Sequence, residues 1–373
     1  IPALYINKPY LGGLEVLWWH ILLACIVGGF LGVVLIIPLR KYFVRDLHGD
    51  LPFPEATAIN EILVTGEKSA GGAGKILLLS FALGALFDFS IEALHLWNHN
   101  LNTTILLGDL GKSMASVGLE INLMGLAAMF GLGYIIGLRY ASIIASGSVL
   151  AFLVMVPIIY LIGKQAGDFK YAGATYEIGK MSAGRIFGAF VKPIGIGAIA
   201  ISGLIGIIRM GKIVASSVSL GFKGFKKSTG DQVEEERWQR DMSPKNVLLI
   251  QAMTTLSMGV LFYVVSQASY GVGESLKFAL VGMVVGFLLS FLFTPVAAQA
   301  IAIVGVNPVS GMTLITVVLA IGAMIIAGLE GPAGMMIALI IGTAVCTALS
   351  TSGALISDFK IGYWIGSTPR NQE

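Results

Sequence analysis

The chain has 373 residues, of which 56% are hydrophobic and 12% charged, and its formal net charge is +3. Its mean hydropathy is +0.85, and a soluble domain carries about a quarter charged residues, so these numbers exclude a soluble globular fold and predict an all-α polytopic membrane protein. The small positive excess sits in loops and speaks for membrane orientation, not for a nucleic-acid partner. Cys25 and Cys346 lie in different apolar runs, offer neither a zinc pair nor a disulfide framework, and read as packing residues. No cofactor is implied. The chain opens on Ile1 and Pro2 with no signal-peptide pattern and is expected to be a piece of a longer protein.

Leu14–Leu39 is the first expected span, with Trp18 and Trp19 as interfacial anchors and Arg40, Lys41 and Arg45 marking its inner end. Residues 51–67, LPFPEATAINEILVTGE, are stiffened at entry by Pro52 and Pro54 and closed by Gly66. A helix of about three turns falls short of the about 20 apolar residues a crossing requires. A re-entrant or interfacial helix carrying Glu55 and Glu61 is expected there. Lys75–Trp97 leads outward, and in it Asp88, Glu92, His95 and His99 recur at steps of four, three and four. On a helix they share one face, where carboxylates and imidazoles could relay protons or hold a divalent cation. The plainer reading is a helix that has already left the membrane, with the row facing water.

Asn98–Lys112 reads as a polar outer loop, and Glu120–Leu138 and Ala141–Gly163 as inward and outward spans meeting at Arg139. A second outer segment, 164–185, precedes Ile186–Arg209, whose Lys192 has to snorkel, pair or face a cavity, since a centred charge costs about 3 kcal/mol on insertion scales. Residues 209–245 form a long hydrophilic connector assigned to the cytoplasm. Val247–Ser266, Leu276–Val304 (through Thr294 and Pro295), Gly311–Leu329 and Pro332–Ser350, followed by a polar tail, complete about nine spans in a single transmembrane domain over 1–373. Of the 24 Lys and Arg, sixteen fall on the side assigned as inner, seven outside, and Lys192 within a span, which supports this orientation.

One junction stands apart. Ile303 to Thr313, IVGVNPVSGMT, joins two apolar runs and carries Asn307, Pro308, Ser310, Gly311 and Thr313. Pro308 lacks an amide hydrogen and Gly311 tolerates unusual dihedrals, so a helix reaching this point is expected to break. In lipid such a break survives where protein or a water-filled cavity covers it, which is where a transporter can hold a polar solute. The alternative is a tight cytoplasmic turn with Ser310 capping the next helix.

GVNPVSGMT, and SDFKIGYWIGSTPRNQE some forty residues later, resemble the oligopeptide transporter family in its bacterial and yellow-stripe-like branch, where the corresponding segments read approximately NNPISGMT and QDLKTGYLLGATPRKQQ. IIPLRKYFVRDLHGDLPFPEATAINEILVTGE and VKPIGIGAIAISGLI fit the same family. The resemblance implies a proton-coupled secondary transporter of about sixteen helices that moves small peptides or metal chelates across a bacterial inner membrane. Nine spans are then an internal portion, completed by missing chain segments or by a second copy. Asp358 and Lys360 match the family pattern, whereas Ala354 and Ser357 replace an acid and a glutamine.

On this reading Asn307, Ser310 and Thr313 would face a zwitterionic solute, and Glu61, with Glu55 and Asp358 as further candidates, would carry the proton. An intramembrane metal enzyme built on the Asp88 to His99 row, and a structural subunit dependent on partners, remain the competing classes.

Overall fold

A computed structural model of the chain describes residues 17–67, 72–98, 100–171, 174–199, 201–202, 205, 208, 237, 240–267, 270–305, 309–328 and 331–373. The helices and strands run in the order α1 (Trp18–Ile36), α2 (Pro54–Glu67), α3 (Gly72–Glu92), β1 (Asn100–Asn102), α4 (Thr103–Leu106), α5 (Asp109–Ala115), β2 (Asn122–Met124), α6 (Ala127–Val149), α7 (Val156–Ala166), β3 (Asp168–Tyr171), β4 (Ala174–Glu177), α8 (Ala183–Ile186), α9 (Pro244–Gln267), α10 (Val272–Val304), α11 (Val309–Ile326), α12 (Gly331–Trp364) and α13 (Pro369–Gln372). They fall into two compact units, one of Ile1–Ala56 with Ile199–Glu373 and one of Thr57–Ala198.

In the first unit α12 is the hub, packed against α1, α10 and α11. Small residues allow the closest of these approaches. A Cβ on Gly28 would collide with the carbonyl oxygen of Ala344, and one on Gly32 with that of Ala348. The repeat of four on both helices brings backbone against backbone, the arrangement that dispersion favours in lipid, where apolar burial from water supplies no force between helices. Around this seam lies one core with Leu31, Met258, Phe262, Phe293 and Ile341, and a second at the other end of α1 with Ile36, Phe43, Phe53, Ile301, Ile356 and Phe359. Pro295 leaves α10 continuous. It removes one backbone donor, and Thr294 Oγ1 donates to the Ser290 carbonyl at 2.7 Å.

In the second unit α3 and α6 are joined where Asp88 Oδ1 accepts the amide of Ala127, at the first residue of α6, at 2.9 Å. Two antiparallel strand pairs, β1 with β2 and β3 with β4, occupy stretches read from sequence as outer loops and as the start of a span. A third core, with Val156, Tyr160, Ile178 and Ile186, joins α7 to the segment after β4.

Six helices among the described residues are long and apolar enough to cross a membrane: Trp18–Leu39, Gly74–Glu92, Ala127–Ala166, Pro244–Gln267, Val272–Val304 and Gly334–Trp364, with Met312–Ile326 as a shorter apolar helix. Several expected boundaries move. The spans expected over Glu120–Leu138 and Ala141–Gly163 both fall on Ala127–Ala166, whose backbone leaves helical geometry at Gly137 (φ 79, ψ 164). The beginning of the first of them is strand, because Asn122 pairs with Asn102. Ile186–Arg209 is helical at 192–199, beyond a π-turn at Phe187–Val191, and exposed Lys192 directly follows that turn. The short helix after Phe53 continues through Gly66 to Glu67. The tail expected after Ser350 is helix as far as Trp364, so Asp358 and Lys360 lie on α12. Of the 209–245 connector, Arg237 and residues 240–245 are described.

Candidate functional site

The interruption expected near position 308 lies between α10, ending at Val304, and α11, starting at Val309. Gly305 takes the left-handed conformation (φ 74) and its N–H donates to the Ile301 carbonyl at 2.8 Å, a turn that stops the helix without Cβ strain. Asn307 and Pro308 lie outside the described residues. Ser310 and Gly311 stand in the first turn of α11, so Ser310 is inside the helix and not at its cap position. Thr313, half-buried, donates from Oγ1 to Cys346 Sγ on α12 at 3.0 Å. The backbone that such a break was expected to leave open is partly taken up by the chain itself. The Ile301 carbonyl accepts from Gly305, and the Ala302 carbonyl accepts the amide of Phe53 at 2.8 Å.

Phe53 leads to a cluster that sequence reasoning missed. It is 1% exposed and has a positive φ of 41, an outlier for a bulky residue. Its ring stands 5.1 Å from Lys360 Nζ, and the rings of Tyr363 and Trp364 stand 5.5 and 5.4 Å from the same ammonium. Lys360 is 1% exposed. Among the described residues no carboxylate comes within ion-pair distance of its Nζ, which donates to the Val44 carbonyl at 2.8 Å and lies 2.9 Å from His48 Nδ1. The Val44 carbonyl is available because Lys41–Asp46 forms a π-turn that ends with His48 N–H on the Arg45 carbonyl, leaving a terminal acceptor for a cation. The Lys360 charge, and then burial, hold the His48 imidazole below its ordinary value of 6.5. The sequence signal was a lysine with aromatics three and four residues later, on the same helical face. Its partners were invisible because they lie more than 300 positions away.

Beside this cage, Arg40 is 3% exposed, and its Nε donates to Asp241 Oδ1 at 2.6 Å, with Lys41 Nζ 3.7 Å from Oδ2. The Met242 amide donates to Glu373, the Arg370 amide donates to the Arg240 carbonyl at 3.0 Å, and Arg237 donates to the Gly366 carbonyl at 2.9 Å. Burial, opposed by the Met242 amide and Arg40 and reinforced by Asp241, pushes the Glu373 carboxyl up to about 7. The end of α1, the approach to α9 and the segment after α12 are thereby bound into one polar knot.

The remaining candidates are separated. Asp358 is exposed, and two residues from Lys360 on a helix it points elsewhere; the pairing considered for these two does not form. Glu55 and Glu61 are both exposed on α2, with Glu55 in the first unit and Glu61 in the second. The row from Asp88 to His99 does not share one helical face, because α3 ends at Glu92 and His95 follows in a left-handed conformation (φ 49). His99 lies outside the described residues. No group of three metal-ligating side chains occurs among those described.

Apolar helices of crossing length, a glycine-tight helix pair and an interrupted helix define a polytopic helical membrane protein. The chain belongs to the OPT oligopeptide transporter family, whose family model matches residues 1–373. It is similar to a Haemophilus influenzae protein named "Putative oligopeptide transporter", with 24% identity over 371 residues that cover 95% of this chain and 55% of that protein. The chain therefore spans about half the length of that curated relative. No solved structure matches it.

Proposed function

We propose that the chain is an internal portion of a secondary transporter that imports small peptides or peptide-like metal chelates across the cell membrane by alternating access, driven by protons. The observation that carries this reading is the family match over all 373 residues. The helix break after Gly305 supports it, since interrupted helices hold polar solutes at membrane depth. In this reading Asn307, Pro308, Ser310, Gly311 and Thr313 form the cargo contact, and Glu61, with Glu55 and Asp358 as further candidates, takes up the proton. A zwitterionic cargo suits neutral hydroxyl and amide partners, which hydrogen-bond both ends without an unpaired charge.

The test is uptake of radiolabelled di- to tetrapeptides and of ferric chelates by the protein in its full reading frame, reconstituted in proteoliposomes with and without a pH gradient. Accumulation that requires the gradient is expected, and accumulation indifferent to it overturns proton coupling. Glu61→Gln is expected to abolish concentrative uptake while leaving exchange of preloaded cargo in place. Thr313→Val is expected to raise the half-saturating cargo concentration, and unchanged uptake would remove Thr313 from the contact.

A further inference from the structure

We propose that His48 and Lys360 form a proton-operated latch that ties segment 41–53 to the end of α12. The atoms dictate how it works. Lys360 is a donor only, so at 2.9 Å the Nδ1 of His48 has to be the acceptor, and the neutral ring carries its proton on Nε2. The site for a second proton is then Nδ1 itself. A proton arriving from water converts the acceptor into a donor and sets imidazolium against ammonium, so the contact is lost.

Among the described residues no carboxylate is paired with His48 to offset that repulsion. On its own segment Arg45 pairs with Asp46 at 2.8 Å, and Lys41 and Arg40 engage Asp241, which precedes α9. Asp50 and Lys245 are exposed to solvent, as is Asp358 on α12. The part of α10 that packs here, Phe278–Val304, contains no charged residue. From α12 the groups that meet the imidazole are Lys360 and the Tyr363 ring, whose centroid is 5.4 Å away. His48 is exposed, so protons reach it from the aqueous phase, whereas Lys360 is buried and cannot turn away to water.

The geometry says what opens. Lys360 also holds the Val44 carbonyl, and Phe53, at the far end of the same segment, is pinned to Ala302 in a strained backbone conformation. Releasing the ammonium loosens a segment attached at both ends, next to the break after α10. A lysine that merely capped the π-turn would do the same packing work with no response to pH. The latch itself stands apart from the transport reading; only its use as a coupling device rests on that reading.

The test follows the thiol reactivity of Val44→Cys, a fully buried position, in full-length protein with Cys25→Ala, Cys346→Ser and every cysteine outside these 373 residues replaced, reconstituted in liposomes without cargo. At each pH the labelling rate is divided by the rate in the same background carrying His48→Asn, whose Oδ1 takes the position of Nδ1 as an acceptor but does not titrate. This ratio cancels the pH dependence of the thiol. It is expected to be near one at about pH 8 and to rise as pH falls below 6.5, by up to about tenfold per pH unit for a single-proton equilibrium. Lys360→Met, divided by the same reference, is expected to give a ratio well above one at every pH. A ratio that stays flat from about pH 8 to 5, or a Lys360→Met variant as slow as its parent, overturns the latch. No outcome depends on uptake, so a protein that labels as expected but fails to transport leaves the latch standing and removes the transport reading.

Discussion

The two units put similar apolar helices to different uses. In Gly334–Trp364, 67% of the most apolar stretch is buried within the chain, whereas the figure is 6% for Gly74–Glu92 and 11% for Ala127–Ala166. Composition does not cause the difference, since all three exceed the hydropathy of a crossing helix. Shape does. α12 meets α1 through glycines that admit another backbone, while α3 leaves Ile76, Leu78, Phe81 and Leu83 60–73% exposed. Hydrophobicity thus marks a helix for the bilayer, and small residues in register mark it for another helix.

The sharpest way to break this contrast is to add one methyl group on each side of it. Gly28→Ala and Gly32→Ala push Cβ atoms into backbone that cannot turn aside, and each is expected to cost about 1–3 kcal/mol. Gly131→Ala and Gly133→Ala in α6, with open space around both positions, are expected to be neutral or to stabilise by up to about 1 kcal/mol. Thermal unfolding in detergent, followed by size-exclusion chromatography, measures both. Equal effects would show that the seam is not what distinguishes the units.

Next in size is Lys360→Met, which fills the cage without a donor and leaves the buried Val44 carbonyl unsatisfied, at about 1–3 kcal/mol. Its cost is expected in the first unit only, read as faster proteolysis of segment 41–53 with unchanged cleavage of the β1–β2 region. Gly305→Ala forces a Cβ into left-handed backbone and is expected to lower stability by about 1–2 kcal/mol. A melting temperature equal to that of the parent would mean that α10 can end in another way.

The smallest effects are pH slopes. The folded state holds His48 below its ordinary value, so the imidazole contributes stability that is complete above 6.5 and is lost as pH falls through its folded value. Glu373 is raised from 4.5 to about 7, so its contribution is complete below 4.5 and is lost as pH rises through about 7. His48→Asn is expected to flatten the limb on which stability falls as pH drops below 6.5, and Glu373→Gln the limb on which it falls as pH rises from 4.5 to about 7, as measured by melting temperature between about pH 4 and 9. If either variant leaves both limbs unchanged, the polar knot is not the source of the slope.

Apolar runs were legible to within a few residues, as in Trp18–Leu39 against an expected Leu14–Leu39 and Val272–Val304 against Leu276–Val304, because hydropathy is a local property. Helix ends and strand pairs were less so. Helical spacing was extended across Asp88 to His99, but the backbone turns at Ala93 and the period has no meaning beyond it. The pairing of Asn100–Asn102 with Asn122–Met124 depends on partners two helices apart. The four-residue spacing of Gly28 and Gly32 was present in the sequence, yet the matching Ala344 and Ala348 could be recognised only across the fold. Lys360 was hidden for the same reason: a buried cation becomes intelligible once the carbonyl, imidazole and rings that receive it are in place.

The glycine seam also bears on movement. With carbonyls of α12 seated where side chains of α1 would be, neither helix can rotate about its own axis without collision, so the two form a single stave. Any displacement of one of them has to carry the other with it, so they move, if they move, as one body.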